Sequence, residues 1–267
     1  MYKALTIAGS DTSGGAGIQA DIKTFEEHSI YGMAAITVMV AQNPKGWSHD
    51  IFPIDLSTIE AQIDTVLGGI GVDATKTGML PTEEIIFLVS KKLKQYDAKN
   101  IVIDPVMVCK GTDEVVNPVS VNAIKEGLLP LATITTPNVY EAAQLSGVRP
   151  IDSIEKVKEA AKIIHSFGAK NVLIKGGTKL GTKNATDILY DGKDFLLFET
   201  PLIETSYTHG AGCTIAAAIT SNLALGNSVQ DSVTKAKNYV TEAIRNGFVL
   251  NQYVGVVNHA ALRNNSF

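Results

Sequence analysis

Short apolar runs, rich in β-branched residues, alternate along the chain with longer stretches in which apolar positions recur every three or four residues. Lys3–Ala8 predicts a strand, and Gly17–Ser29, with Ile18, Ile22 and Phe25 on one face, predicts a helix. Ala34–Val40 is apolar almost throughout, as in a strand covered on both faces. Asp55–Leu67 has a helical period, Asp73–Thr77 reads as a short strand, and Thr82 caps a predicted helix over 82–96. Ile101–Ile103 and Ile134–Thr136 are buried strands that end in Asp104-Pro105 and Pro137-Asn138, the second followed by a helix carrying Glu141. Ser153–Phe167 is an amphipathic helix closed by Gly168, and Val172–Lys175 a strand closed by Gly176-Gly177. The period then changes: Asp187–Tyr190 and Phe195–Glu199 flank Asp191-Gly192, a hairpin signal. Two helices, Gly212–Leu225 and Val229–Phe248, complete the pattern.

Repeated strand–helix alternation predicts an α/β fold: a central, mainly parallel β-sheet flanked by helices on both faces, with a small antiparallel hairpin near one edge. No repeat or linker divides the chain, so one domain over 1–267 is expected. At 45% hydrophobic and 19% charged residues the chain can build a sizeable core, which excludes a disordered protein. A net charge of −4 leaves no basic footprint for nucleic acid. The N-terminal segment lacks a secretory h-region, and no apolar stretch reaches the about 20 residues of a membrane span; 214–225 is broken by Thr220, Ser221 and Asn222. A cytoplasmic protein is expected. Two cysteines, Cys109 and Cys213, are too few for a disulfide framework or a thiolate zinc site.

In open sheets of this kind ligands bind at the carboxyl ends of the strands, and the unusual residues of this sequence cluster there. Three glycine-rich turns stand out: 9–17, Lys175-Gly176-Gly177-Thr178-Lys179, and Thr208-His209-Gly210-Ala211-Gly212-Cys213 ahead of a helix of small residues. Such turns let backbone N–H groups converge on an anion. Neither nucleotide fingerprint explains them: around Gly176–Lys183 the P-loop lysine falls one place late, and the first turn is not G-x-G-x-x-G. Asp104 and the Asn138…Glu141 pair offer hard oxygens suited to Mg²⁺ held largely through water and phosphate, with Lys175 and Lys179 as cationic partners for phosphate.

Taken together, the segments AGSDTSGGAGIQADIKTF, YGMAAITVMVAQN, KTGML, DPVMV, TPN..E, IKGG and THGAGCT resemble, in order from about residue 3 to about 250, the hydroxymethylpyrimidine kinase and pyridoxal kinase branch of the ribokinase-like superfamily. The resemblance implies a ribokinase-like fold with a lid loop and transfer of phosphate from ATP. Gly210, Ala211 and Gly212 would form the anion hole; the next position, usually an Asp acting as base, is Cys213. Lys175 would neutralise phosphate, Asn138 and Glu141 would hold Mg²⁺ directly or through water, and Asp104 would assist the metal and orient the acceptor. Gly176, Gly177, Thr178, Lys179, Asp187 and Lys237 would border the nucleotide. Gly9, Asp21, Gln42, Met79 and Val106, with Cys213, match the branch's pyrimidine or pyridine pocket.

The cysteines bear on the acceptor. Cys109 falls in the lid, where many hydroxymethylpyrimidine kinases carry a small residue, and a second Cys marks the dual-cysteine pyridoxal kinases. Pyridoxal has an aldehyde and hydroxymethylpyrimidine has none. A Cys213 thiolate, favoured by the helix N-terminus, could add to that aldehyde as a hemithioacetal, with Cys109 assisting proton transfer on lid closure. The expectation is ATP-dependent phosphorylation of the 5-hydroxymethyl group of pyridoxal, and of pyridoxine and pyridoxamine. The alternatives are a hydroxymethylpyrimidine or hydroxymethylpyrimidine-phosphate kinase, and a vitamin-binding sensor without catalysis. By analogy with similar proteins, a homodimer is expected.

Overall fold

Strand residues point alternately to the two faces of a sheet, and here both faces are covered. Leu5, Ile7, Ile101, Ile103, Val172 and Ile174 enter one apolar cluster. Their strand neighbours Val102 and Leu173 enter a second, and Ala4 a third, on the opposite face. The computed structural model describes residues 1–107 and 119–263. In chain order the elements are β1 (Lys3–Asp11), α1 (Gly17–Glu27), β2 (Tyr31–Gln42), β3 (His49–Pro53), α2 (Leu56–Ile63), β4 (Ala74–Thr77), α3 (Glu83–Gln95) and β5 (Ile101–Ile103). They continue with α4 (Val119–Ala123), β6 (Ile134–Thr135), α5 (Val139–Ser146), α6 (Ile154–Ser166), β7 (Val172–Gly177), β8 (Asn184–Tyr190) and β9 (Phe195–Pro201). Last come α7 (Ala211–Ala224), α8 (Val229–Arg245) and a small β10 (Phe248–Val249) paired with β11 (Gly255–Val256).

Nine strands form one sheet in the order β3-β2-β1-β4-β5-β6-β7-β8-β9. The six from β2 to β7 run parallel, and β3, β8 and β9 are antiparallel to their neighbours. Ile59, Ile86, Leu145 and Val157 bring α2, α3, α5 and α6 onto one face; α1, α7 and α8 cover the other through Phe25, Ile219 and Tyr239. Parallel order puts the carboxyl ends of β1, β2, β4, β5, β6 and β7 along one rim, with the start of α7 beside them.

Local chemistry sets the helix starts. The side chains of Thr82 and Ser153 accept hydrogen bonds from the N–H groups of Ile85 and Lys156, which would otherwise lack partners. Three differences from the sequence reading have physical causes. The edge strand β3 was not expected, because His49-Asp50-Ile51-Phe52-Pro53 pairs on one side only and shows no apolar alternation. Regular α2 stops at Ile63, four residues early, and the chain widens into a π-helical turn that ends where Gly68 and Gly69 weaken the helix. The last helix ends at Arg245, since Phe248 pairs with Val256 instead. The lid expected after Val106, including Cys109, lies outside the described residues. No described helix is long and apolar enough to cross a membrane.

Ser153→Ala removes one capping bond from an exposed helix start. It should cost about 1 kcal/mol, read as a lower urea midpoint, with unchanged kinetics.

Candidate active site

The rim of the sheet is tied together by one carboxylate. Asp11, the last residue of β1, accepts from Ser13 N (2.9 Å), Ser13 Oγ (2.9 Å) and Ala16 N (2.8 Å), which folds the glycine-rich turn back on the strand. Its Oδ1 also accepts from Gln42 Nε2 at the end of β2 (2.7 Å), and Oδ2 lies 2.9 Å from His209 Nε2, 198 residues away in the chain. Burial alone would raise the Asp11 pKa, but the hydrogen bonds from His209, Ser13 and Gln42 outweigh it and hold the carboxyl well below the usual carboxylate range. Because a carboxylate only accepts, Gln42 must turn its amide nitrogen toward Asp11, leaving its amide oxygen for a ligand.

His209 leads into the turn at the start of α7. Gly210 has φ +86°, and a Cβ there would lie 1.8 Å from the Gly15 carbonyl oxygen, so only glycine lets the two turns meet. Ala211 and Gly212 open α7 with their N–H groups at its positive end. A methyl group on Gly212 would sit 3.5 Å from Lys175 Nζ, so the ammonium and the turn share one place. Lys175, at the end of β7, is 3.0 Å from Asp104 Oδ1, and Thr136 Oγ1 donates to the same oxygen. Burial lowers the Lys175 pKa less than the charges of Asp104 and Glu141 raise it, so the ammonium is retained.

His209, Gly210, Gly212, Lys175 and Asp104 line a cavity of about 290 Å³, and Ala211 stands outside its lining. The lining brings Lys175, Asp104, Glu141 and the α7 turn together with Gly9, Gln42, Met79, Val106 and Cys213. Glu141 and Asn138 form a reciprocal capping box: Asn138 Oδ1 accepts from Glu141 N, and Glu141 Oε2 accepts from Asn138 N at 2.8 Å. Burial, with the Asp104 charge adding and Lys175 opposing, pushes Glu141 up to about 7. The negative charge of Asp104 disfavours ionisation of Glu141, and a cation between the two would offset that repulsion. No group of three or more His, Cys, Asp or Glu side chains among the described residues could enclose a metal alone, however. Mg²⁺ would thus fit as an ion held by Asp104 and Glu141 mainly through water and phosphate, with Asn138 spent on its cap.

Several expected site residues fall elsewhere. Asp21 does not reach the cavity: it is wholly buried against Lys76 Nζ at 2.8 Å. Gly176 and Gly177 end β7 and Thr178 and Lys179 begin the turn after it, all outside the cavity lining. Asp187 and Lys237 are buried on each other at 2.7 Å, joining β8 to α8 rather than presenting free charges. The acidic thiol expected at Cys213 is not what the geometry produces. Burial pushes the thiol up to about 11, although Lys76 and an N–H bond from Gly17 act the other way. Asp11, Lys76 and His209 are among the cavity residues that had no assigned role. A signal existed for Lys76, a lone cation in a strand otherwise fit for burial; for Asp11 and His209 nothing local marks the pairing.

The phosphomethylpyrimidine kinase family model matches residues 11–258. The chain belongs to that family. It is 55% identical over 266 residues to the pyridoxine kinase of Bacillus subtilis, covering 99% of this chain and 98% of that one. To the hydroxymethylpyrimidine/phosphomethylpyrimidine kinase of the same organism it is 44% identical over 266 residues, covering 100% and 97%. Among solved structures, the ADP complex of Bacillus subtilis pyridoxal kinase superposes with a TM-score of 0.95 at 55% identity, covering 98% of this chain and 99% of that one. The pyridoxal kinase of Staphylococcus aureus in complex with AMP-PCP and pyridoxal superposes with a TM-score of 0.93 at 48% identity, covering 98% and 95%. The fold is thus that of this kinase family, and the mainly parallel, doubly covered sheet agrees with the sequence reading.

The raised Glu141 carboxyl generates a pH test. Its folded pKa lies above the unfolded value, so its stabilising contribution is complete below about 4.5 and is lost as pH rises through about 7. Glu141→Gln keeps an acceptor for the Asn138 N–H but cannot titrate. With divalent cations chelated, the melting temperature of the parent minus that of the variant should fall between pH 4.5 and 7.5; a flat difference would contradict the buried-acid assignment.

Proposed function

We propose that this protein is an ATP-dependent kinase, one domain over 1–267, that phosphorylates the 5-hydroxymethyl group of pyridoxal, with pyridoxine and pyridoxamine as further acceptors. The observation that carries the reading is the meeting of Lys175 with the Gly210–Gly212 turn at a cavity that Gln42, Met79 and Val106 also line. Phosphoryl transfer needs positioned positive charge and N–H donors more than covalent help, and this is what Lys175 and the turn offer. Met79, Val106 and the Gln42 amide, two apolar side chains and one acceptor, suit a flat heteroaromatic ring. Similarity to proteins that bind ADP, AMP-PCP and pyridoxal supports the same assignment.

In the proposed reaction the acceptor oxygen attacks the γ-phosphorus of ATP while the bond to the β–γ bridging oxygen breaks and its electron pair leaves with ADP. Lys175 and the N–H groups of the α7 turn stabilise the charge on the transferring group. When bound, Mg²⁺ would neutralise further phosphate charge. Asp104 orients Lys175 and, with Cys213, borders the acceptor. The Cys213 thiol beside the anion turn adds reversibly across the aldehyde C=O of pyridoxal, sulfur to carbon and proton to oxygen, as a hemithioacetal, with Cys109 assisting the proton transfer. Magnesium dependence, a homodimer and a cytoplasmic location belong to the proposal. Hydroxymethylpyrimidine phosphorylation is kept as a second reading, because the family model and a relative at 44% identity carry that name. A silent vitamin-binding sensor would have no use for Lys175 beside the turn.

With Mg-ATP, kcat/KM for pyridoxal should exceed that for hydroxymethylpyrimidine at least tenfold; the reverse order would transfer the assignment to the pyrimidine. Cys213→Ala should lose most pyridoxal turnover, and Cys109→Ala should impair it. Unchanged turnover in both would remove the thiols from the mechanism.

A further inference from the structure

The turn at the start of α7 has no cap of its own. Gly210 stands at the N-cap position and offers no side chain, and glycines at 210 and 212 leave the backbone free to move. Yet this turn must hold its N–H groups still. Those of Gly212 and Cys213 are among the four that a helix start leaves without partners inside the helix, and both residues line the first cavity.

The missing cap is supplied from the other side of the helix start. Thr214, wholly buried, donates from Oγ1 to the Gly210 carbonyl at 2.8 Å, and its own N–H reaches the same oxygen at 2.9 Å. Thr214 Oγ1 also lies 3.1 Å from Nε2 of His259, 45 residues on in the chain. The hydroxyl has one proton, and the nearer Gly210 oxygen takes it, so the ring donates from Nε2–H and leaves Nδ1 without a proton. Burial and the charges of Lys23 and His209 hold the His259 pKa down to about 4, so the ring that donates is neutral. His259 is itself fixed: its carbonyl accepts from Tyr239 Oη of α8 at 2.6 Å, Asn258 N donates to Ala243 O, and Val257 N donates to His209 O. The segment after α8 thus grips the turn twice, at the His209 backbone before the glycines and at Thr214 after them.

We infer that His259 is a positioning residue for phosphoryl transfer. Its Nε2–H holds the Thr214 hydroxyl on the Gly210 carbonyl, and this clamp fixes the first turn of α7 with the N–H groups of Gly212 and Cys213 toward the cavity. The inference rests on the proposed kinase reaction for its use, whereas the hydrogen bond it assigns can be read without any substrate.

His259 also lines a second cavity, of about 440 Å³, with Ser13, Lys23, Phe248 and Val256, which opens the way to chemical rescue. His259→Ala should lower kcat at least tenfold with the KM for ATP within threefold, and millimolar imidazole should restore most of the loss. N-Methylimidazole fills the same space without an N–H and should restore nothing. A residue that only fills space would be replaced equally well by either compound. His259→Gln keeps an N–H near the Nε2 position and should recover kcat to within threefold of the parent. Thr214→Val should lose as much kcat as His259→Ala, and imidazole should not rescue the two substitutions combined. Each variant is assayed with pyridoxal and with hydroxymethylpyrimidine. Without substrate, long-range nitrogen NMR of the histidine rings should show His259 as the Nε2–H tautomer. Turnover of His259→Ala within twofold of the parent, equal rescue by N-methylimidazole, or an Nδ1–H tautomer overturns the inference. If His259→Ala does not fold, His259→Gln and Thr214→Val decide, since the clamp requires the first to be active and the second impaired. If the parent chain phosphorylates hydroxymethylpyrimidine alone, the proposed acceptor fails while loss and rescue on the pyrimidine uphold the clamp. A parent chain inert toward both defeats the proposed function, and with it the use of the clamp, even where the Nε2–H tautomer is found.

Discussion

The carboxylate of Asp11 is the constraint on which the site depends. It satisfies donors from its own turn, from the end of β2 and from the loop before α7, so three distant segments of chain converge on two oxygen atoms. Hydrogen bonds to a charged acceptor are the stronger kind, and a buried carboxylate without them would be costly. The same contacts that make Asp11 tolerable inside the protein bring the Gly15 carbonyl and Gly210 together, place the anion turn, and orient Gln42.

Three further ion pairs, Lys76–Asp21, Lys175–Asp104 and Lys237–Asp187, lie within or beside the sheet with little exposure. They differ in what surrounds them. Lys237–Asp187 is enclosed between β8 and α8 and serves as a brace. Lys175–Asp104 opens onto the cavity, so its lysine can exchange one anionic partner for another. Lys76–Asp21 is wholly buried, its lysine at the cavity lining and its carboxylate outside it. Position relative to the cavity, not pairing as such, separates brace from chemistry.

Glu141 shows the same principle within one helix turn. The Asn138…Glu141 spacing is a capping box, a local device that any helix start can use. Placed at the end of β6 and opposite Asp104, the cap also becomes a buried carboxyl whose charge is sensitive to its neighbours. One set of atoms thus starts a helix and, in the proposed kinase, would offer oxygen to a bound cation.

Strand–helix alternation, the caps at Thr82 and Ser153, the hairpin at Asp191-Gly192 and the glycine turns were legible in the chain because each rests on residues a few positions apart. So was the grouping of candidate residues at strand ends, since parallel topology puts those ends together whatever the side chains are. The edge strand β3 escaped because one-sided pairing imposes no apolar period. The burial of Asp21, the diversion of Asp187 and Lys237 onto each other, and the elevated thiol of Cys213 were decided only in three dimensions. Each depends on desolvation and on charges from other elements: 55 residues separate Lys76 from Asp21, and 198 separate His209 from Asp11. Local sequence sets what a side chain can do; the surrounding dielectric and its distant partners determine which of those things it does.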